Sequence, residues 1–442
     1  MSPRVSLVRL GCARNDVDSD EIESRLAGDG FELVDDRADV IVVNTCGFIA
    51  SAKKDSIDAV LAASDTGAQV VVAGCLAERY GHELAESLPE AAAVLSFDDY
   101  ASIGDRLRSV LAGEPLAAHV PQDRRLLLPL SPVERVAPGA PGHAGLSRAV
   151  HDVVVPVKLA SGCDRRCSFC AIPRFRGSFV SRPPEDIVAE VIDLAGQGVR
   201  EIVLVSENST SYGKDLGDLR LLERLLRTLG EIPGIARVRV NYLQPAEMRP
   251  SLVEAIGSSP GVAAYYDLSF QHASARVLRR MRRFGGSADF LGLIDAIRRV
   301  DPRAGVRTNV IVGFPGESED DLDELADFLV AARLDAVGVF PYSDEDDTEA
   351  LGLDGHLDEQ EVLDRASRIS SLVDDLVLER AESRVGESVQ VLVTGFEDGR
   401  TVGRAAHQGP DDGATFVESA AEAGEMLMAT VMAADGVDLV AR

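Results

Sequence analysis

Three closely spaced cysteines near the middle of the chain limit its possible folds more than any other feature. Cys163, Cys167 and Cys170 have the spacing C-x3-C-x2-C and directly follow an apolar run that predicts a strand over Val153–Ala160. Three thiolates this close can bind one cubic iron–sulfur cluster, which leaves one iron without a protein ligand. A zinc site, which usually takes four ligands, and unligated core thiols are the alternatives. We call these residues the barrel trio.

The other three cysteines are far apart in sequence but share one context. Cys12, Cys46 and Cys75 each come just after an apolar run, with a glycine beside each of them. The carboxyl ends of strands are where open parallel sheets place their ligands. Buried cysteines that act as small hydrophobic residues are the alternative. We expect this N-terminal trio to bind a second cluster, at the ends of strands predicted over Val5–Leu10, Val40–Val43 and Val70–Ala73.

Alternation of apolar runs with helical patterns predicts an α/β protein. Residues 1–112 predict a doubly wound parallel sheet, and 113–150, rich in proline and glycine, a linker. Six strand-and-helix units within 151–370 predict a partial (βα)6 barrel, because a complete barrel of this type needs eight. Residues 383–442 predict a small antiparallel β-barrel. The six barrel strands are expected over Val153–Ala160, Glu201–Ser206, Arg237–Tyr242, Tyr265–Phe270, Arg307–Val312 and Ala336–Phe340.

Cellular location is predicted from what the sequence lacks. No stretch approaches the roughly 20 apolar residues of a membrane span. Met1 leads directly into a strand pattern without a signal-peptide core. Six cysteines in a chain of 442 residues do not suggest a disulfide framework. We therefore expect a cytoplasmic protein that makes no membrane contact.

The two trios, the α/β domain, the partial barrel and the β-rich tail together resemble the radical S-adenosylmethionine (SAM) methylthiotransferase family, over essentially the whole chain. The tail is similar to the family's TRAM domain. The resemblance implies a transferase with two [4Fe-4S] clusters, the radical SAM cluster on the barrel trio and an auxiliary cluster on the N-terminal trio. It also implies that SAM serves both as methyl donor and as radical source, and that C–S–CH3 replaces C–H. An electron donor and a sulfur source are implied as partners.

The segment 171–182, after the barrel trio, resembles the RimO branch of this family, which modifies the β-carbon of an aspartate on small-subunit ribosomal protein twelve. Glu345 stands where the tRNA-modifying, MiaB-like branch usually has arginine. The alternatives are that tRNA-modifying branch and, in another class, an iron–sulfur carrier protein. A carrier has no need of a barrel large enough for SAM.

Charge gives independent support for a basic protein substrate. The formal net charge is 45 − 73 = −28. Residues 344–364 contain ten acidic side chains and no lysine or arginine, and Val385–Arg442 contains ten acidic and three basic residues. A surface that binds tRNA phosphates should be basic, so tRNA is an improbable partner and a basic ribosomal protein fits better. A merely solvated acidic face is the alternative.

Glu207 and Asn309 are the SAM contacts that the resemblance implies, because Glu207 closes the second barrel strand and Asn309 lies in a segment that resembles the family's fifth strand. The family usually has Gln-Asp where this chain has Glu207-Asn208, and a capping or turn role is the alternative for Glu207. His272 is more often structural than catalytic at such a position, and no residue is assigned to catalysis. Some of the arginines near the barrel trio could bind a carboxylate in bidentate pairs, although most are expected to be surface charges. These are Arg165, Arg166, Arg174 and Arg176.

Overall fold

The N-terminal part of the molecule is a five-stranded parallel sheet with helices on both faces. The computed structural model describes residues 2–126, 143, 148, 150 and 152–442. The strand order is β2-β1-β3-β4-β5. The strands are β1 (Arg4–Arg9), β2 (Glu32–Leu33), β3 (Val40–Thr45), β4 (Gln69–Gly74) and β5 (Ala91–Val94). The helices are α1 (Ala13–Gly28), α2 (Ala50–Ser64), α3 (Cys75–Ser87) and α4 (Ile103–Leu111).

Apolar side chains on both faces of the central strands hold this sheet between its helices. All six residues of β3 are buried, as a parallel strand covered on both sides requires. Val42 belongs to the core under α1 and α4, and Val43 to the core under α2 and α3. The short strand β2 was not predicted, because its two residues, Glu32 and Leu33, are exposed and give no apolar run.

The central part is an open barrel of six parallel strands in two hydrogen-bonded groups, β10-β9-β6 and β11-β12-β13. A parallel bridge between Leu243 and Leu268 joins the groups. The six strands are β6 (Val154–Lys158), β9 (Glu201–Val205), β10 (Arg237–Val240), β11 (Tyr265–Gln271), β12 (Gly305–Val312) and β13 (Ala336–Pro341), and a small ribbon pairs β7 (Ala160–Ser161) with β8 (Val180–Ser181). The helices are α5 (Ile172–Arg176), α6 (Pro184–Gly196), α7 (Leu221–Gly230), α8 (Pro250–Ser258), α9 (Ala275–Arg280), α10 (Ser287–Val300) and α11 (Glu319–Ala332). The predicted partial barrel is confirmed.

The C-terminal part is a small closed β-barrel with the strand order β14-β15-β16-β18-β17. A long helix, α12 (Glu359–Glu382), leads into it. The prediction of an antiparallel barrel is correct for four of the five pairings and wrong for one, because β16 and β18 run parallel. The strands are β14 (Ser388–Glu397), β15 (Arg400–Ala405), β16 (Thr415–Val417), β17 (Met426–Asp435) and β18 (Asp438–Ala441).

Helix α1 joins the N-terminal sheet to the barrel. Val17 packs against Val203 and Val205 of β9. Asp18 forms a fully buried ion pair with Lys158, the last residue of β6. Helix α1, which begins directly after Cys12, therefore packs on β6 and β9 of the barrel.

Most of the predicted linker, 113–150, lies outside the described residues. Its first part packs on α3, where the His82 amide donates to the His119 carbonyl at 3.0 Å. Arg124 Nη1 lies 2.9 Å from Glu78 Oε1 of the same helix. In the part of the chain that the structure describes, no helix combines the length and the apolar character needed to cross a bilayer.

Candidate functional site

The N-terminal trio lies along one edge of the parallel sheet. Arg9 of β1 pairs with Asn44 of β3, and Thr45 of β3 pairs with Gly74 of β4. This register places Cys12, Cys46 and Cys75 just beyond neighbouring strand ends, as the sequence predicts. The backbone must approach closely there, and Gly74 has a φ of 89° that favours glycine. A Cβ on Gly74 would lie only 2.6 Å from the Thr45 carbonyl oxygen.

Two arginines contact the sulfur atoms of this trio. Arg14 Nε donates to Cys12 Sγ at 3.4 Å, and Arg176 Nη2 donates to Cys75 Sγ at 3.0 Å. Burial works against ionisation of Cys12, but the Arg14 guanidinium brings its pKa below the usual value. Burial and the neighbouring Cys75 raise the pKa of Cys46 to about 11. Burial also raises the pKa of Cys75 in spite of Arg176.

The barrel trio lies on a loop whose two ends are held together. The loop leaves β7 and returns in β8, and these strands pair through Ala160–Ser181 and Ser161–Val180. The Cys163 amide donates to the Gly177 carbonyl at 3.0 Å. Between Cys167 and Cys170, the Ser168 amide donates to the Met281 carbonyl at 3.2 Å. The antiparallel ribbon therefore fixes a loop that could otherwise move away from the barrel.

The three cysteines of the barrel trio lie close to one another, Cys163 buried and Cys167 and Cys170 half-buried. Burial raises the pKa of Cys163 to about 12, and the nearby Cys167 adds to the increase. Burial and the same neighbour raise the pKa of Cys170 further. Arg283 Nη1 lies 3.8 Å from Cys167 Sγ. Thiols in this environment ionise when a metal replaces the proton, so metal binding should release protons.

Both trios have a donor set that fits an iron–sulfur cluster. The six cysteine sulfurs are soft donors of the kind that such clusters take. No histidine competes with them among the described residues. Within the described ranges, no group of three or more histidine, cysteine or acidic side chains converges on a single ion. In a cubic cluster each thiolate binds a different iron, so the sulfurs need not converge on one point.

Charged and aromatic side chains connect the two trios, and we call this region the chamber. Its residues are Arg14, Arg176, Glu207 and Tyr242. Arg176 connects the two sides, because its Nη2 contacts Cys75 and its Nε lies 3.7 Å from Glu207 Oε1. The charge of Arg14 acts on Cys12 of one trio and on Cys170 of the other. The Arg14 guanidinium carbon lies 4.7 Å from the centre of the Tyr242 ring.

The predicted SAM contacts are buried acceptors without donors. Neither carboxylate oxygen of Glu207 accepts a hydrogen bond from any residue that the structure describes, and the same is true of Asn309 Oδ1 and Asn241 Oδ1. Buried acceptors without partners are costly and call for a ligand or water. The ammonium, hydroxyl and amino groups of SAM are suitable donors, so this set of residues fits SAM.

His272 has a structural environment. Its side chain is fully buried, and its Nδ1 accepts from the Ser274 amide at 3.0 Å. Its Nε2 lies 3.3 Å from Glu317 Oε2, and Glu317 also accepts from the Gly313 amide at 2.9 Å. These contacts fix the turn that follows β12. They agree with the structural interpretation of this residue.

Sequence analysis did not identify Arg14, Asp18, Lys158 or Tyr242 as site residues. Asp18 also accepts from Arg176 Nη2 at 2.9 Å, so it helps to place that arginine. A weak signal existed for Lys158, which is a charged residue at the end of an apolar strand. Arg14 lies two residues after a candidate ligand, but an arginine there gives no sign of whether it points inwards.

Known protein families and individual proteins match this chain in sequence. Family models match residues 157–329 (radical SAM superfamily), residues 4–96 (uncharacterized protein family UPF0004) and residues 385–442 (TRAM domain). Proteins named ribosomal protein uS12 methylthiotransferase RimO from Saccharopolyspora erythraea and from a Nocardioides species are each 59% identical to this chain. Those alignments cover 100% and 99% of this chain and 95% and 96% of the relatives.

Solved structures show a similar fold at low sequence identity. One is the radical SAM methyltransferase TsrM from Kitasatospora setae, with cobalamin and a [4Fe-4S] cluster bound. It has a TM-score of 0.55 and 15% identity, and the match covers 91% of this chain and 81% of that one. The similarity extends the shared architecture beyond the barrel.

Proposed function

The chain belongs to the family of ribosomal protein uS12 methylthiotransferases, and from this premise we propose that it attaches a methylthio group to the β-carbon of an aspartate of uS12. It is a radical SAM enzyme. The observation that carries the proposal is the chamber, where cysteine trios from two different sheets face each other across Arg14 and Arg176. A reaction that needs both a hydrogen abstraction and a sulfur donor requires two such sites around one carbon atom.

We infer that Cys163, Cys167 and Cys170 hold the radical SAM cluster and that Cys12, Cys46 and Cys75 hold the auxiliary cluster. When bound, the two clusters and SAM would supply an electron, a carbon-centred radical, sulfur and a methyl group. Glu207 and Asn309 would accept hydrogen bonds from SAM, since both have buried oxygens without donors. Arg176 would fix the distance between the two sites through its contacts with Cys75 and Glu207.

The remaining partners follow from this chemistry. An electron donor and a sulfur source are required, because no residue of the chain replaces them. A basic ribosomal protein as substrate suits the net charge of −28, and it implies a cytoplasmic site of action. Modification of tRNA is not favoured, because the full-length relatives are named for uS12.

The direct test is an anaerobic reaction of the reconstituted protein with uS12, SAM, a reductant and sulfide. Mass spectrometry should find an increase of about 46 Da, the mass of S plus CH2, on one aspartate-containing peptide. Transfer RNA in the same assay should stay unmodified. Modified tRNA and unmodified uS12 would contradict the proposal.

Two matched triple variants assign the clusters. Replacement of the N-terminal trio by alanine should leave about four of about eight iron atoms, preserve SAM cleavage to 5′-deoxyadenosine and abolish the methylthio product. Replacement of the barrel trio should also leave about four iron atoms but abolish cleavage as well. Product formation without the N-terminal trio would refute its role.

A further inference from the structure

Arg14 presents part of its guanidinium group to the chamber. Only Nε has a partner among the residues that the structure describes, namely Cys12 Sγ at 3.4 Å. The two terminal nitrogens donate to none of those residues. The side chain is half-buried, and its guanidinium stacks on one face of the Tyr242 ring, which fixes its orientation. A planar cation with two free donors side by side is suited to a carboxylate.

The support beneath Arg14 is itself unusual. Tyr242 follows β10 and has a φ of 62°, which is uncommon for a residue with a bulky side chain. Its amide donates to Asp267 Oδ2 at 2.9 Å, and its carbonyl accepts from the Ser209 amide at 3.1 Å. Such backbone strain persists where the surroundings enforce it, and it is concentrated at functional sites. Here it turns the aromatic ring into the chamber.

We propose that Arg14 binds the side-chain carboxylate of the target aspartate through its two terminal nitrogens and so selects aspartate over its uncharged analogues. This inference rests on the proposed function and adds to it the residue that recognises the substrate. Arg14 lies between the N-terminal trio and the barrel, because its Nε contacts Cys12 and its guanidinium stacks on Tyr242, which follows barrel strand β10. Bound in this way, the carboxylate would place the adjacent β-carbon between the two trios.

Other groups near the chamber do not offer the same chemistry. Arg176 donates to Asp18 and Cys75 through Nη2, and only its Nη1 is a terminal nitrogen without a partner among the described residues, so it cannot offer a free pair of donors. Lys158 is fully buried in its ion pair with Asp18. Arg165 pairs with Glu247 at 2.8 Å. Arg14 is therefore the chamber cation with the most donors left for a substrate.

The test compares the affinity of reconstituted protein for three forms of uS12 that have aspartate, asparagine or alanine at the target position. Wild type should bind the aspartate form about tenfold or more tightly than the asparagine form, since hydrogen bonds between charged groups have this strength. Arg14→Gln should abolish that preference and leave affinity for the alanine form unchanged. Arg14→Lys keeps the charge without the fork and should recover part of the preference. Arg227→Gln, an exposed position on α7 with the same change of charge, is the control.

Iron content and SAM affinity are measured in the same variants. If Arg14→Gln keeps the aspartate preference, the inference is wrong. It is also wrong if the variant loses iron or SAM affinity in proportion to its loss of uS12 binding, because Arg14 would then serve the cluster or the cofactor. If wild type modifies none of the three forms, the proposed function fails instead, and the two failures are distinguishable.

Discussion

At the residue scale, the chamber combines charges that are rarely buried together. Arg176 is close to Glu207, Asp18 and Cys75, and each contact connects a different part of the fold. Removing one member of such a group leaves the others unpaired, which costs more than the pair itself contributes. The arrangement is therefore expected to be sensitive to single substitutions that preserve shape but not charge.

Glu207→Gln tests the predicted SAM contact. The amide keeps the size of the side chain but loses the charge that would attract the SAM ammonium group, so SAM affinity should fall about 10-fold to 100-fold. Isothermal titration under anaerobic conditions would measure it. Iron content should not change, because Glu207 contacts no sulfur directly. Unchanged SAM affinity would remove Glu207 from the binding site.

At the element scale, the loop after β13 fastens the barrel to α3. Glu345 is buried, and its Oε2 lies 2.8 Å from Lys53 Nζ and 3.0 Å from Arg79 Nη1. The same Arg79 nitrogen donates to the carbonyl of Gly47, the residue after Cys46, at 2.8 Å. Glu345 stands where the tRNA-modifying branch usually has arginine. Here it stabilises the contact between the barrel and the loop of the N-terminal trio.

Glu345→Ala should destabilise the protein by about 3 kcal/mol, because it leaves Arg79 without its buried partner. Urea unfolding would measure the loss. Iron retained by the N-terminal trio should decrease as well, since the Cys46 loop loses its support. Asp346→Asn is the control, because Arg79 binds the carbonyl of Asp346, and an asparagine side chain can still accept from the Tyr80 hydroxyl. Equal stability of the two variants would contradict the fastening role.

The junction between the barrel and the C-terminal β-barrel should make stability depend on pH. Burial, helped by the charges of Arg384, Arg380 and Arg239 and opposed by Asp335, lowers the pKa of His407 to about 3. The unfolded chain binds a proton near pH 6.5 and the folded chain does not. The stability that the neutral His407 contributes is therefore fully present above pH 6.5, and it is lost as the pH falls from there towards 3.

The expected loss from His407 is about 1.4 kcal/mol between pH 7.5 and pH 5.5. Urea unfolding of wild type and His407→Gln at both values measures it, and the variant should lack this part of the decline. Asp16, whose pKa burial raises to about 6, acts in the opposite direction but is common to both proteins. Parallel declines in wild type and variant would show that His407 is not responsible.

The sequence predicts an element of this fold only where the element has a recognisable apolar pattern. The six barrel strands were predicted because β-branched, aromatic and other apolar residues recur in each, either as a run, as in Glu201–Val205, or alternating with polar residues, as in Arg237–Val240. The start of helix α1 has no apolar pattern that would reveal it, because the buried face of this helix is polar and includes Asn15, Asp18 and Ser19. The polar face of α1 pairs with charged groups that are distant in sequence, such as Lys158. No local sequence pattern predicts such partners. The same reason kept Arg14 out of the predicted site.

At the scale of the whole molecule, the negative charge is less available than the sequence suggests. Five of the ten acidic residues in 344–364 form ion pairs with lysine or arginine side chains of this chain. In Val385–Arg442 only three of the ten acidic residues form ion pairs with described arginines. That barrel is therefore expected to provide more of the long-range attraction for a basic substrate.

Association of uS12 should slow about tenfold between 50 and 300 mM NaCl, because salt screens this attraction. Stopped-flow measurements would follow it. A variant with Asp398→Asn, Glu422→Gln and Glu425→Gln, all exposed positions, should associate more slowly at low salt and show a weaker salt dependence. If the association rate does not change with salt, the acidic residues of the C-terminal barrel do not attract uS12.

The packing of α1 on β6 and β9 has a consequence for how the chain is made. Synthesis proceeds from the amino terminus, so the N-terminal sheet and α1 leave the ribosome before any barrel strand. When β6 emerges, Asp18 is therefore already present as the partner of Lys158. An isolated barrel fragment would have to bury that lysine without its counter-charge, so we expect it to fold less readily than the full chain.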